Sequence, residues 1–261
     1  MNNELYPMIF KRKSFHLFRN TGQDRIPAEE LESIPGIWAG LEPLYSDIRT
    51  TIRILPAEQV HFKRDAEYCI LIYSEKKDNW LMNAGYLGEQ LDLYLTSRNI
   101  GTLWFGIWKP DQQTYDGLSY VIMIAVRKVK DDALFRKDMF KAKRKPLEEI
   151  WTGDTLGIAD IARFSPSAVN SQPWYVKNED GILTVYRRKT GKHGIMPSAA
   201  ITYYNRIDIG IYLCILEICM AEKKLSFDRE LYVDDGEKDR EYTKAARYCL
   251  NKAGEETERS V

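Results

Sequence analysis

Two stretches of this 261-residue chain repeat in the same order, and that repeat limits the fold more than any other feature. Pro27-Ala-Glu-Glu-Leu31 matches Pro146-Leu-Glu-Glu-Ile150. Asn83-Ala-Gly-Tyr-Leu-Gly-Glu-Gln-Leu91 matches Asp208-Ile-Gly-Ile-Tyr-Leu-Cys-Ile-Leu216, with Leu93 on Ile218 and Ile100 on Leu225. The offset grows from 119 residues (27 to 146) to 125 (83 to 208), as small loop insertions would cause. The chain therefore reads as two copies of one unit.

Periodicity fills in the elements of each copy. Ala84, Leu87, Gly88, Leu91, Tyr94 and Leu95 recur at helical spacing, and Asn99-Ile100-Gly101 supplies a stop. Residues 67–74 and 119–128 are short apolar runs rich in β-branched and aromatic types, which predicts buried strands. The second half follows the same rhythm. It has a Pro-initiated helix over 146–163, strands at 174–177 and 182–187 around Asn178-Glu-Asp-Gly181, a buried helix over 206–223 and a strand at 226–233. At the N-terminus a helix is expected over residues 4–19, ending at Asn20-Thr21-Gly22, and a second one from Pro27 to Ser33. The resulting architecture is a mixed α+β or α/β sandwich. Its half units are residues 1–128 and 146–233, related by a pseudo-two-fold axis, with a basic linker at 129–145. A charged tail, 234–261, follows, in which Ala245, Tyr248 and Cys249 point to one short helix.

Composition removes several function classes. With 44% hydrophobic and 29% charged residues the chain is able to bury a large core. Its 38 basic residues are balanced by 38 acidic ones, against the cationic excess of a dedicated nucleic-acid binder. Cys69, Cys214, Cys219 and Cys249 form no CxxC pair, so neither a zinc site nor a disulfide framework is expected. The opening Met-Asn-Asn-Glu-Leu-Tyr-Pro lacks the basic flank and apolar stretch of a secretory signal, and no apolar run is long enough to span a bilayer. A cytoplasmic location is expected, with no membrane partner.

The segment with the strongest chemical signal is Phe164-Ser-Pro-Ser-Ala-Val-Asn-Ser-Gln-Pro-Trp-Tyr-Val176. Ser165 and Ser167 offer hydroxyls, Asn170 and Gln172 offer paired amide donors and acceptors, and two prolines fix the backbone that presents them. Such a set suits a flat heteroaromatic ring with carbonyl and N–H edges. It suits equally a turn whose polar groups cap the neighbouring helix. Trp174 is expected to anchor the following strand in the core.

Pro166-Ser-Ala-Val-Asn-Ser-Gln-Pro-Trp174 resembles the Pro-Ser-x-x-Asn-x-Gln-Pro-Trp signature of the FMN-dependent nitroreductase family, in which this loop meets the flavin ring. Phe10-Lys-Arg-Lys-Ser-Phe-His-Leu-Phe18 resembles that family's N-terminal basic segment, which implies that Arg12, Lys13, Ser14 and His16 address the FMN phosphate and ribityl chain. His16 stands where the family usually has Arg or Lys. Residues from Asn83 through Ile100-Gly-Thr-Leu-Trp-Phe-Gly106 are similar to its central helix and the loop after it, and place Leu103, Trp104, Phe105 and Gly106 near the reactive edge of the ring. Backbone N–H groups from Phe105 to Ile107 are expected beside that edge, with Trp104, Phe105 and Trp108 as core or pocket wall. Lys141-Ala-Lys-Arg-Lys-Pro146 is similar to the basic closing segment, with Lys143 and Arg144 reaching the phosphate, although a solvated linker has the same composition. The ring loop is represented by Pro166, Ser167, Ala168, Asn170 and Gln172. His61 and His193 have no partner that suggests a role.

One departure from the family pattern bears on architecture. Where the first half should carry the ring loop it has Leu41-Glu-Pro-Leu-Tyr-Ser-Asp-Ile48, without Asn or Gln, and the second half lacks a basic helix, with Leu225-Ser-Phe-Asp-Arg229 in place of Gly101-Thr-Leu-Trp-Phe-Gly106. The resemblance thus implies a fused pseudo-dimer holding one FMN per chain, able to do so as a monomer and free to dimerise further through other surfaces. The implied activity passes hydride from NADH or NADPH through flavin N5 to a nitroaromatic, quinone or similar small acceptor, by ping-pong kinetics and with no side-chain nucleophile. The alternative is an inactive flavin-binding sensor or carrier.

Overall fold

The computed structural model describes residues 3–60, 62, 64–106, 110–190, 198–237 and 240–251. His61, Ile107, Trp108, His193 and residues 252–261 of the tail lie outside the described residues. The described chain divides into two compact units, residues 4–142 and 143–251.

The first unit contains α1 (Tyr6–Lys11), α2 (Ala28–Ala39), β1 (Thr50–Pro56), β2 (Tyr68–Ser74), α3 (Trp80–Ser97), β3 (Ile100–Phe105), β4 (Thr114–Tyr115) and β5 (Leu118–Lys128). Its sheet runs β1-β2-β5-β3, with β4 folded back on β5, and every pairing is antiparallel. The apolar runs of β2 and β5 take the two central places, where both faces are covered, and α3 is buried along nearly its whole length. Gly88 makes that packing possible. A Cβ there would stand 2.5 Å from the indole of Trp104 on β3, so only glycine admits the ring.

The second unit contains α4 (Leu147–Ile150), β6 (Trp151–Thr152), α5 (Ala159–Ala162), β7 (Trp174–Glu179), β8 (Ile182–Arg188), α6 (Ser198–Glu222), β9 (Phe227–Leu231) and β10 (Tyr242–Leu250). Its sheet runs β6-β7-β8-β10-β9. Apart from the short parallel β6–β7 pair the strands are antiparallel. The path β7-β8-β10-β9 repeats β1-β2-β5-β3 strand for strand, with α6 placed in the chain as α3 is. Both units are therefore α+β rather than the parallel α/β type. Trp174 opens β7, fully buried and stacked on Tyr212 of α6, with ring centroids 4.8 Å apart at 13°.

Four expected elements take another form. The helix expected over residues 4–19 stops at Lys11, because the next residues extend along the open edge of β3: Ser14 bridges Thr102 in parallel and the Phe15 N–H donates to the Thr102 carbonyl at 2.9 Å. Here tertiary pairing overrides local propensity. The helix expected over 146–163 is broken into α4 and α5. Gly153, at φ +86°, sits against the Asn178 carbonyl where no side chain fits. The helix expected at Ala245, Tyr248 and Cys249 is strand β10, seated between β8 and β9. A register shift between Lys244 and Ala246 buries Ala245 and Ala246 in succession, which breaks the alternation that marks a strand. Finally, α2 runs on past Ser33 to Ala39 with Pro35 inside it, and β1 had no counterpart in the expected order.

Candidate functional site

Arg12 is the first residue beyond α1, and its backbone N–H closes that helix on the Met8 carbonyl at 2.8 Å. This turn sends the side chain inward, where it is only 4% exposed. Its Nε donates to Asp92 Oδ2 at 2.7 Å and lies 3.7 Å from Glu89 Oε1, both on α3. Burial works against the Arg12 charge, but Asp92 and then Glu89 outweigh it and leave the guanidinium more basic than usual. Asp92 also accepts from Thr102 Oγ1 at 2.6 Å and Trp104 Nε1 at 2.8 Å. One carboxylate thus orients Arg12, strand β3 and the Trp104 indole together. Glu89 is fully buried with neither oxygen hydrogen-bonded, and burial holds its carboxyl well above the usual range. Asp92 is thus the acid hydrogen-bonded to Arg12, and Glu89 is a second, more distant one.

The cation left over is Arg136. Its backbone N–H donates to the Lys11 carbonyl at 3.0 Å, which draws this segment beside the end of α1. Its half-buried guanidinium has no ion pair or hydrogen bond among the described residues. Burial first, and then the positive charge of Arg12, lower its pKa to about 10. Other basic groups here are engaged: Lys11 Nζ donates to Asn99 Oδ1 at 2.5 Å and Asp132 Oδ1 at 3.0 Å, and Lys13 Nζ donates to the Leu134 carbonyl at 2.9 Å. Ser14 Oγ lies 3.5 Å from Arg12 Nη2. His16 is exposed and meets its surroundings through its carbonyl, which accepts from Arg64 Nη1. With Arg12 paired to Asp92, Arg136 supplies an uncompensated positive charge beside the end of α1, which suits an anion.

Leu103 is buried, while Trp104, Phe105 and Gly106 are partly exposed at the end of β3. Phe105 meets Phe62 edge-on at 5.1 Å between centroids, and the Arg64 guanidinium lies 4.9 Å from its ring centre. This aromatic end of the strand is rigid, because Asp92 pins Trp104 and Gly88 admits its ring.

In the second unit the loop between α5 and β7 is tightly built. Val169, Asn170 and Gln172 adopt φ values of 47°, 56° and 47°. A β-branched residue with such a φ is a genuine outlier, and each non-glycine position of this kind costs about 1–3 kcal/mol. The loop is over-determined by its hydrogen bonds. Gln172 is buried, its N–H donates to Ser167 Oγ at 3.0 Å, its Oε1 accepts from the Lys145 N–H at 2.8 Å, and its Nε2 donates to the Asn170 carbonyl at 3.2 Å. Lys145 Nζ reaches the carbonyls of Ser171 and Gln172. Asn170 stays exposed, accepting from Arg144 Nη1 at 3.2 Å and donating to the Lys143 carbonyl. Arg144 Nη2 also donates to the Phe164 carbonyl at 3.0 Å. From beneath, Asp208 of α6 accepts the Ala168 N–H at 3.0 Å.

The expected site residues therefore fall into two clusters. Arg12, Lys13, Ser14 and Leu103–Gly106 share the first unit, whereas Lys143, Arg144, Pro166, Ser167, Ala168, Asn170 and Gln172 share the second. Gln172 is an internal strut of its loop. Lys143 is exposed, and Arg144 serves the loop backbone. Sequence reading missed Glu89, Asp92, Arg136 and Asp208. The available signal was two acids, three residues apart, inside a largely apolar helix; Arg136 was hidden in a run of charges resembling a solvated linker.

Comparison with known proteins places this geometry in a family. Residues 4–220 match the model of the family described as "Putative TM nitroreductase". Among solved structures, a "putative nitroreductase" from Thermotoga maritima is 20% identical over 96% of this chain and 94% of that chain, with a TM-score of 0.59, which shows a shared fold. A nitroreductase family protein from Clostridium difficile is 17% identical over 59% of this chain and 99% of its own, with a TM-score of 0.45. A "putative nitroreductase in complex with FMN" from Desulfovibrio desulfuricans is 18% identical over 57% of this chain and 95% of its own, with a TM-score of 0.39. Overlaps as slight as the last two carry no argument. No curated protein sequence matches this one. The family match, by contrast, runs from the basic N-terminal segment through the strained loop and into α6, and on that ground the chain belongs to this nitroreductase family.

Proposed function

We propose that this chain binds one FMN and is an NADH- or NADPH-dependent oxidoreductase acting on a nitroaromatic, quinone or similar small acceptor. The observation that carries the reading is family membership across residues 4–220, a span that includes both the basic segment at Arg12 and the loop at Pro166–Gln172. The residues present fit the cofactor's charge: Arg136 is a half-buried cation lacking a partner among the described residues, beside an Arg12 already neutralised by Asp92. In this reading Arg12, Arg136, Lys13 and Ser14 hold the phosphate, with Lys143 or Arg144 as further contacts. The aromatic end of β3 and the loop carrying Ala168 and Asn170 position the ring. FMN, when bound, would supply the redox chemistry between nicotinamide and acceptor. The protein's own part is to orient, to exclude water and to present fixed hydrogen bonds. Strain held in the loop by Gln172, Lys145 and Asp208 is a form of such preorganisation.

The common strand path of the two sheets supports the further proposal of a fused pseudo-dimer, in which each unit stands for one subunit of a two-chain enzyme. Only the first unit carries Arg12 and Arg136, and only the second carries the Asn/Gln loop, so a single FMN per monomeric chain is expected. A cytoplasmic protein without nucleic-acid or membrane partners belongs to the same proposal. No described helix is long and apolar enough to cross a membrane.

The purified protein tests this directly. It should be yellow or become yellow with FMN at one flavin per chain, bleach anaerobically on NADH or NADPH, and recover its colour with a quinone or nitro compound. A colourless protein that does not take up FMN overturns the reading. A yellow one that neither nicotinamide bleaches is a binding protein and not an enzyme.

A further inference from the structure

The carboxyl of Asp208 lies beneath the strained loop and is 3% exposed. Its Oδ1 accepts from the Ala168 N–H at 3.0 Å, and its Oδ2 lies 3.5 Å from Ser171 Oγ, which accepts from Asn205 Nδ2 at 3.1 Å and can take the proton of a neutral Asp208. The first unit makes the same bond in the same place. Asn83 of α3 occupies the position matched to Asp208, and its Oδ1 accepts from the Tyr45 N–H at 3.1 Å, within the segment that stands where the loop stands. The one chemical difference between the two bonds is that Asn83 does not ionise.

We propose that Asp208 is a proton-operated latch on the loop of residues 165–172: its neutral carboxyl holds Ala168 and Ser171 down, and its ionisation is coupled to release of the loop toward water. A buried carboxylate offers about four acceptor sites. Here two donors face it, one of them at long range, so an ionised Asp208 is poorly satisfied while the loop is shut. Among the described residues no charge nearby compensates. From α6 itself the neighbours are Asn205 and Tyr212, and from the loop Ala168 and Ser171. Lys145 is committed to the carbonyls of Ser171 and Gln172. On α5 and at its end, Asp160 is exposed and Arg163 turns to the Lys145 carbonyl and the Phe164 ring. Arg187 of β8 is paired with Asp234. Burial accordingly pushes Asp208 up to about 8. Opening returns it to an ordinary value of about 3.9, so the open state binds fewer protons throughout the interval between these values. In that interval each unit of rising pH favours opening about tenfold, the proton passing to solvent. Above about 8 the shut form is ionised as well and the effect levels off. The three left-handed residues Val169, Asn170 and Gln172 add strain that opening relieves.

Hydrogen exchange of the Ala168 and Tyr45 amides in the full chain tests the latch, each read as protection relative to an unstructured peptide at the same pH. The readout comes from the protein's own amides, so the result stands or falls apart from the flavin reading. Ala168 should lose protection by about tenfold per pH unit from pH 5 toward 8 and then level off, while Tyr45 stays constant. Asp208→Asn should flatten the Ala168 profile, and Asn83→Asp should give Tyr45 a slope. A flat Ala168 profile in the wild-type chain, the same slope in Asp208→Asn, or parallel slopes at both wild-type amides would overturn the proposal. If Asp208→Asn does not fold, the wild-type comparison of Ala168 with Tyr45 decides alone.

Discussion

Arg12 Nε and Asp92 Oδ2 meet at 2.7 Å in the interior of the first unit, and the charge expected to hold a phosphate is thereby neutralised from behind. Two consequences follow for the site. Arg12 is fixed in direction, and the attraction for an anion passes to Arg136, whose guanidinium has no partner among the described residues.

Asp92→Ala leaves the buried Arg12 with Glu89, 3.7 Å away, in place of a hydrogen-bonded partner, and also strips Thr102 Oγ1 and Trp104 Nε1 of their acceptor. Removal of one partner from a buried pair costs about 3–5 kcal/mol. The midpoint of urea unfolding should fall accordingly, with a change in Trp emission from the released indole.

Arg136→Ala should weaken FMN binding by roughly tenfold to a hundredfold, since a charge-assisted hydrogen bond contributes about 1.5–3 kcal/mol. Riboflavin, which lacks the phosphate, should bind the variant about as well as it binds the wild-type chain. Parallel titrations with the two ligands decide the matter, and equal losses would remove the phosphate assignment.

Glu89→Gln is expected to stabilise the protein at neutral pH. The folded carboxyl is raised above its unfolded value by burial, so folding binds a proton, and stability is lost as pH climbs from the ordinary carboxylate range toward the raised value. A glutamine has no such slope. Thermal midpoints of the two proteins should be closest at acid pH and separate as pH rises; a constant gap would count against a raised carboxyl at Glu89.

Gln172→Ala and Asn170→Ala should behave differently, although both amides belong to one motif. Loss of Gln172 leaves the Lys145 N–H without its acceptor inside the loop, a cost of about 1–3 kcal/mol. Asn170 is exposed, so its loss should cost less, chiefly by placing alanine at a φ of 56°. In FMN titrations both variants should bind more weakly, Asn170→Ala through a lost contact and Gln172→Ala through a loosened loop. Denaturation curves beside flavin titrations separate the two effects.

Local sequence determined a good deal of this protein. The 3.6-residue spacing of Ala84, Leu87, Leu91 and Leu95 fixed α3, and the Asn178–Gly181 turn between β-rich runs fixed the β7–β8 hairpin, because burial of one face and turn chemistry are properties of neighbouring residues. The Pro166–Trp174 motif marked the loop between α5 and β7. Only tertiary structure decided the rest. Strand β10 is legible as a strand only once β8 and β9 flank it, since its register shift erases the two-residue alternation. Residues after Lys11 leave the helix because the edge of β3 offers them hydrogen bonds that no local propensity records. The charge states of the site depend on contacts between residues some 80 or more positions apart in the first unit, where Asp92 meets Arg12 and Arg12 faces Arg136. Desolvation and Coulomb energy depend on distance in space, and the fold sets that distance.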